Sequence, residues 1–149
     1  MITDGEEAGL RGCKQWAKDH YDEYVNSGVE TAVLCVDTLA DLEYLRVYNK
    51  DMTGTVKNSQ QFSQLVMDSA KDSGHNDLEF SSVYFGSSDA AAFSQAGITA
   101  TCLAAMDPKP ADYYHNRRDT AERLVPEAIK TGFDVIISTI LNFDEKGLN

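Results

Sequence analysis

The sequence predicts an α/β layer structure, a mixed and mostly parallel sheet with helices packed on its faces. Three observations lead there. Short apolar runs rich in β-branched residues alternate with longer segments whose apolar residues recur every three or four positions. Gly, Pro, Asn and Asp punctuate the boundaries between them. Carboxylates and a histidine stand just after the apolar runs, where open α/β sheets gather their ligand groups.

The elements follow in order. After Gly12, the residues Trp16, Ala17, His20, Tyr21, Tyr24 and Val25 fall at helical steps until Asn26, Ser27 and Gly28 interrupt them. Residues 31–37, TAVLCVD, read as a buried strand that ends in Asp37. A polar bend at Asp41 leads into a second, more peripheral strand at 44–48, and the polar stretch 49–58 with Gly54 reads as a loop. Phe62, Leu65, Val66 and Ala70 give a helix over 59–71, followed by a linker at 72–77 and a strand of moderate burial at 78–85. A loop with a short helix fills 86–97, and 98–104 is another apolar strand. Residues 106–119 hold Pro108, Pro110, two tyrosines, His115 and two arginines, and read either as an ordered functional loop or as a disordered excursion. Pro126 suits the first position of a last helix, on which Ile129, Phe133, Ile136, Ile137, Ile140 and Leu141 trace a long apolar face.

A chain of 149 residues suits one domain. With 13 Lys plus Arg against 24 Asp plus Glu, its formal charge of -11 repels phosphate backbones and anionic lipid heads, so neither nucleic acid nor a membrane surface is an expected partner. No apolar run approaches the roughly 18 residues of a membrane span. Cys13, Cys35 and Cys102 form no CxxC pair, and two of them lie in apolar runs, which favours a reducing compartment and hence the cytoplasm. A phosphate-binding glycine loop after a strand and a GxSxG elbow are both absent.

The chemistry-bearing residues at the strand ends are Glu6, Glu7, Asp37, Ser88, Asp89 and His115. A histidine among carboxylates is a sound ligand set for zinc, and one further carboxylate can act as a base towards metal-bound water. Each also has a plain structural role open to it. Glu6–Glu7 can be a solvated acidic turn, Asp37 can cap the turn after its strand, and Ser88 or Asp89 can cap the short helix. Asp119 can cap the turn at 120–124 or hold His115 through its second ring nitrogen. Arg117 can neutralise nearby acids or contact substrate carbonyls, while Tyr113 and Tyr114 can line a pocket or pack the loop down.

Four islands in order, Glu6-Glu7-Ala8-Gly9-Leu10-Arg11-Gly12, Asp37, Ser88-Asp89 with Phe93 before Gly97-Ile98, and Tyr114-His115 with Asp119-Thr120, resemble the M28 family of co-catalytic zinc aminopeptidases. The resemblance covers nearly the whole chain and implies a phosphorylase/hydrolase-like zinc-exopeptidase fold. It implies that Glu6 is the general base, that Glu7 and His115 ligate one zinc and Asp37 the other, and that the parent activity removes residues from peptide amino termini. Asp89, Asp119, Tyr114 and Arg117 would then stand behind the ligands or face substrate. The family's His-x-Asp histidine and bridging aspartate lie upstream of the Glu-Glu pair, and only five residues precede Glu6. Residues 1–149 are therefore expected to be a partial catalytic domain without its amino-terminal strands, with partial or no zinc occupancy, weak or no activity alone, and self-association through an exposed sheet edge. Ala90 stands where the family usually has histidine, and Asn116-Arg117-Arg118 replaces a small, proline-containing run. The competing expectation is a non-catalytic α/β binding or interaction module that keeps a degenerate peptidase fold.

Overall fold

The computed structural model describes residues 1–106, 109 and 111–148. Pro108 and Pro110, part of the expected functional loop, lie outside the described residues. The elements are α1 (Arg11–Asp19), β1 (Val33–Asp37), β2 (Leu45–Asp51), β3 (Val56–Lys57), α2 (Gln60–Asp72), β4 (Phe80–Ser82), α3 (Asp89–Gln95), β5 (Ala100–Ala105) and α4 (Pro126–Lys146).

All six residues of β5 are buried, and this strand lies between β1 and β2. Its alternation sets two cores. Ala100, Cys102 and Ala104 face a cluster with Leu10, Cys13 and Ala17 of the α1 region and Ala90 to Phe93 of α3. Leu103 and Ala105 face the opposite cluster with Leu45, Val47, Phe62, Val66 and Val135, and so meet α2 and α4. Thr101, on that second face, is satisfied by Ser63 of α2 at 2.7 Å.

The expected mostly parallel sheet is corrected by the pairing. β1–β5 and β2–β4 are parallel, whereas β2–β5 and β2–β3 are antiparallel. The reason is connection length. Parallel neighbours need a crossover of about a dozen residues or more, and only residues 38–44 join β1 to β2, so β2 runs back and β5 enters between them. β2–α2–β4 has room for a helix and is parallel. Among the described residues β1 has β5 as its sole strand neighbour, which leaves its other edge open.

Several boundaries also differ from the sequence expectation. The first helix stops at Asp19 and continues as a wider turn at Asp22–Asn26, where Trp16 stacks on His20 at 4.6 Å and meets the edges of Tyr24 and Phe93. The expected loop at 49–58 holds the end of β2 and all of β3, and the 78–85 strand shortens to three residues. In α4 the covered positions are Ala128, Thr131, Gly132, Val135 and Thr139. A Cβ on Gly132 would meet Leu39 Cδ1 at 2.6 Å, so this glycine admits the Leu39 side chain. Phe133, Ile137, Ile140 and Leu141, part of the apolar face traced in the sequence, are 56%, 54%, 61% and 64% exposed.

All three cysteines are free. Burial pushes each thiol up, that of Cys13 to about 12.

Leu103 is fully buried in the cluster beneath α2 and α4. Leu103→Ala should lower the unfolding free energy by about 2–5 kcal/mol, read from the urea midpoint at unchanged slope.

Candidate functional site

Residues 4–12 close into a tight turn ahead of α1. The amides of Gly9 and Leu10 donate to the Glu6 carbonyl at 2.9 and 2.8 Å, and those of Arg11 and Gly12 donate to Gly5 and Asp4 at 3.1 Å. Leu10, in the left-handed region at φ 60°, drives its side chain into the core and pins the turn from below. Gly12 is needed for contact, because a Cβ there would collide with the Asp4 carbonyl oxygen. Glu6 and Glu7 are held at the crest of this turn.

A cavity of about 1220 Å³ is lined by Glu6, Glu7, Asp37, Asp89, His115 and Asp119, with Tyr114 beside them. Arg117 is exposed and is not on this wall. His115 Nε2 lies 2.9 Å from Glu7 Oε1, and the Tyr114 ring stacks on the imidazole at 3.8 Å. Of the two partners open to the imidazole, Glu7 and not Asp119 is the one within ion-pair distance among the described residues. Asp37, at the carboxyl end of β1, accepts from the Thr38 hydroxyl at 2.9 Å, and the following turn is capped by Asp41. Residues 7 and 115 thus meet across a hundred positions of sequence because a turn and a loop share one rim.

Ser88 takes the cap of α3, its Oγ accepting from the Ala90 amide at 3.2 Å. Asp89 is thereby released from capping. Its Oδ2 accepts from Thr3 Oγ1 at 2.6 Å, and its Oδ1 is buried without a partner. Burial, followed by the charges of Glu7, Asp37 and Asp89, raises the Glu6 carboxyl to about 7, with His115 acting weakly the other way. A carboxyl balanced near neutrality can accept or release a proton under ordinary conditions.

The supporting residues were not legible as a motif. Asp51, at the end of β2, is fully buried and accepts from the Ser88 amide at 3.0 Å, the Ser88 hydroxyl at 2.6 Å and the Met52 amide at 2.7 Å. Only its place after an apolar strand could have marked it. Arg123, also on the cavity wall, lies over the Tyr113 ring at 5.3 Å, and nothing in its spacing singles it out.

Among the described residues, no group of three or more His, Cys, Asp and Glu is arranged to hold a metal ion. Glu7 and His115 already satisfy one another, and the orphan oxygen of Asp89 sits beside Thr3. A structural or catalytic zinc needs three or four donors around one point. The donors as placed among the described residues do not by themselves surround a zinc ion, in keeping with the family's further ligands lying outside this set.

Residues 1–140 match the model of peptidase family M28. No curated protein sequence matches the chain. Among solved structures, the LapA aminopeptidase of Legionella pneumophila superposes with a TM-score of 0.76 at 16% identity, over 95% of this chain and 38% of that one. A glutaminyl cyclase from an Acidobacteriales bacterium gives 0.71 at 18% identity, over 93% and 47%. An aminopeptidase from Aneurinibacillus sp. strain AM-1 gives 0.71 at 21% identity, over 93% and 31%. The chain spans less than half the length of each of these proteins. At such identities the likeness establishes the fold, and the fold alone serves both hydrolysis and cyclisation.

Two outcomes follow from this geometry. Glu6 binds a proton more tightly in the folded chain than its ordinary value of 4.5, so its contribution is fully present below that value and is lost as pH rises through about 7. Glu6→Gln should flatten the fall in melting temperature between those limits and leave the neutral-to-alkaline side the more stable. Asp51→Ala should strip two amides and a hydroxyl of their acceptor and lower stability by about 3 kcal/mol in urea denaturation.

Proposed function

Because the chain belongs to peptidase family M28, we propose that its acidic cavity receives the free amino terminus of a peptide, and that the 149-residue chain alone holds this end without cleaving the bond behind it. One observation carries the reading: Glu6, Glu7, Asp37 and Asp89 line a single cavity and sense one another's charge through Glu6. An ammonium group is the ligand that such a field favours, since it relieves the mutual repulsion of the acids. Tyr84, Phe85, Tyr113 and Tyr114 on the same wall offer apolar contact to the first side chains.

The open edge of β1 supports a pose. Val33 to Val36 line the cavity, and β1 runs towards Asp37. A peptide laid antiparallel on that edge would bring its amino terminus to the acids and its amides to unpaired backbone groups. A second copy of the chain would compete for the same hydrogen bonds, which is the form self-association through the edge would take.

A second reading keeps the hydrolase. Here residues 1–149 are one part of a larger catalytic domain, further strands continue the sheet from β1, and further donors complete a zinc pair with Glu7, Asp37 and His115. The raised Glu6 carboxyl favours it, because a base must hold a proton it can also give up. Asp119, Tyr114 and Arg117 would assist from the loop that carries His115.

Calorimetry with a free tri-alanine peptide and its N-acetylated form separates the readings. The free peptide should bind with Kd on the order of 1 mM, at least about tenfold tighter than the acetylated one, and the paired variant Glu6→Gln/Asp37→Asn should lose that preference. Equal binding of the two peptides would sink the amine site. Zinc-dependent turnover of the free peptide by a longer chain that supplies the further donors, and not by residues 1–149 alone, would support the second reading in its place.

A further inference from the structure

The outer face of α4 is apolar where a solvated helix would be polar. Phe133, Ile137, Ile140 and Leu141 recur at steps of four, three and one, and all four are more than half exposed. A helix with apolar residues both towards its sheet and away from it needs a second covering surface. None of these four side chains lines the acidic cavity, so the face is separate from the site already described.

The charges bounding the stripe select the cover. Lys130 stands seven residues before Ile137 and Asp144 seven after it, on the same outer face. Phe133 stands four before and Leu141 four after. We propose that this face pairs with the same face of a second copy, two α4 helices crossing antiparallel about a two-fold axis at Ile137. In that arrangement Ile137 meets Ile137, and Phe133 of each copy lies against Ile140 and Leu141 of the other. Lys130 of each copy falls opposite Asp144 of the other. A parallel arrangement would set lysine against lysine and aspartate against aspartate, so the charge order favours the antiparallel two-fold. Lys130 is 68% exposed and reaches Asp134 on its own helix at 2.6 Å, so its ammonium stands at the edge of the stripe, ready to be shared. Lys130, Asp134 and Asp144 bound the stripe, and the chain's charge of -11 is screened at physiological salt.

The test is sedimentation velocity of the 149-residue chain across a concentration series at physiological salt. A reversible dimer with Kd on the order of 10 μM is expected. Ile137→Glu should give a monomer with unchanged far-UV circular dichroism, since that side chain is 54% exposed. Lys130→Glu and Asp144→Lys should each weaken dimerisation about tenfold, and the double variant K130E/D144K should restore it. A monomer throughout the series would overturn the proposal. So would a dimer that Ile137→Glu leaves intact, which would point to the β1 edge, or a double variant no tighter than the single ones.

Discussion

The buried carboxylate of Asp51 is the contact on which the architecture of the rim depends. It ends β2, lies wholly out of solvent and gathers three donors from two segments, the Ser88 amide and hydroxyl and the Met52 amide. A buried acid in an α/β core is costly unless its acceptors are filled. Filling them fixes where α3 starts, and the same Ser88 hydroxyl then caps that helix. Asp89 is aimed at the cavity as a by-product of how its neighbour is tied.

From that anchor the electrostatics follow. Glu6, Glu7, Asp37 and Asp89 share one depression with Asp41 and Asp119, and the His115 imidazole, itself paired with Glu7, partly offsets their charge on Glu6. Their repulsion is recorded in the Glu6 carboxyl, whose proton is held to near neutrality. A surplus of negative charge of this kind favours the approach of a cation. The chain belongs to peptidase family M28, and among the described residues no group of three or more His, Cys, Asp and Glu is arranged to hold a metal ion.

Much of the layer pattern was legible in the sequence. The run ending in Asp37, the helix bearing Phe62 and Val66, and the apolar strand holding Cys102 stand where their periodicity put them. Strand direction was not legible, because it depends on the seven residues between β1 and β2 being too few for a crossover, and apolar runs look alike whichever way their neighbours point. The acids of the rim were visible as residues, and their meeting place followed from strand ends. What the sequence hid was pairing across distance. Thr3 with Asp89 and Asp51 with Ser88 join segments 86 and 37 residues apart, and neither pair carries a local signature. The last helix divides its residues: Ala128, Gly132 and Thr139 face the sheet together with Val135 and Ile136, while Phe133, Ile137, Ile140 and Leu141 face away.

The three cysteines close the picture from a different side. Burial lifts each thiol above its ordinary value, with Cys13 and Cys102 enclosed and Cys35 half-buried on the cavity wall. Sulfhydryl reagents are therefore slowed at the buried Cys13 and Cys102 until a piece of the fold opens. Cys13 lies beneath the acidic turn, and Cys35 and Cys102 face each other across paired strands. Alkylation rates at Cys13 and Cys102 consequently act as separate clocks for breathing of the turn and parting of the sheet, without any label having to be engineered into the chain.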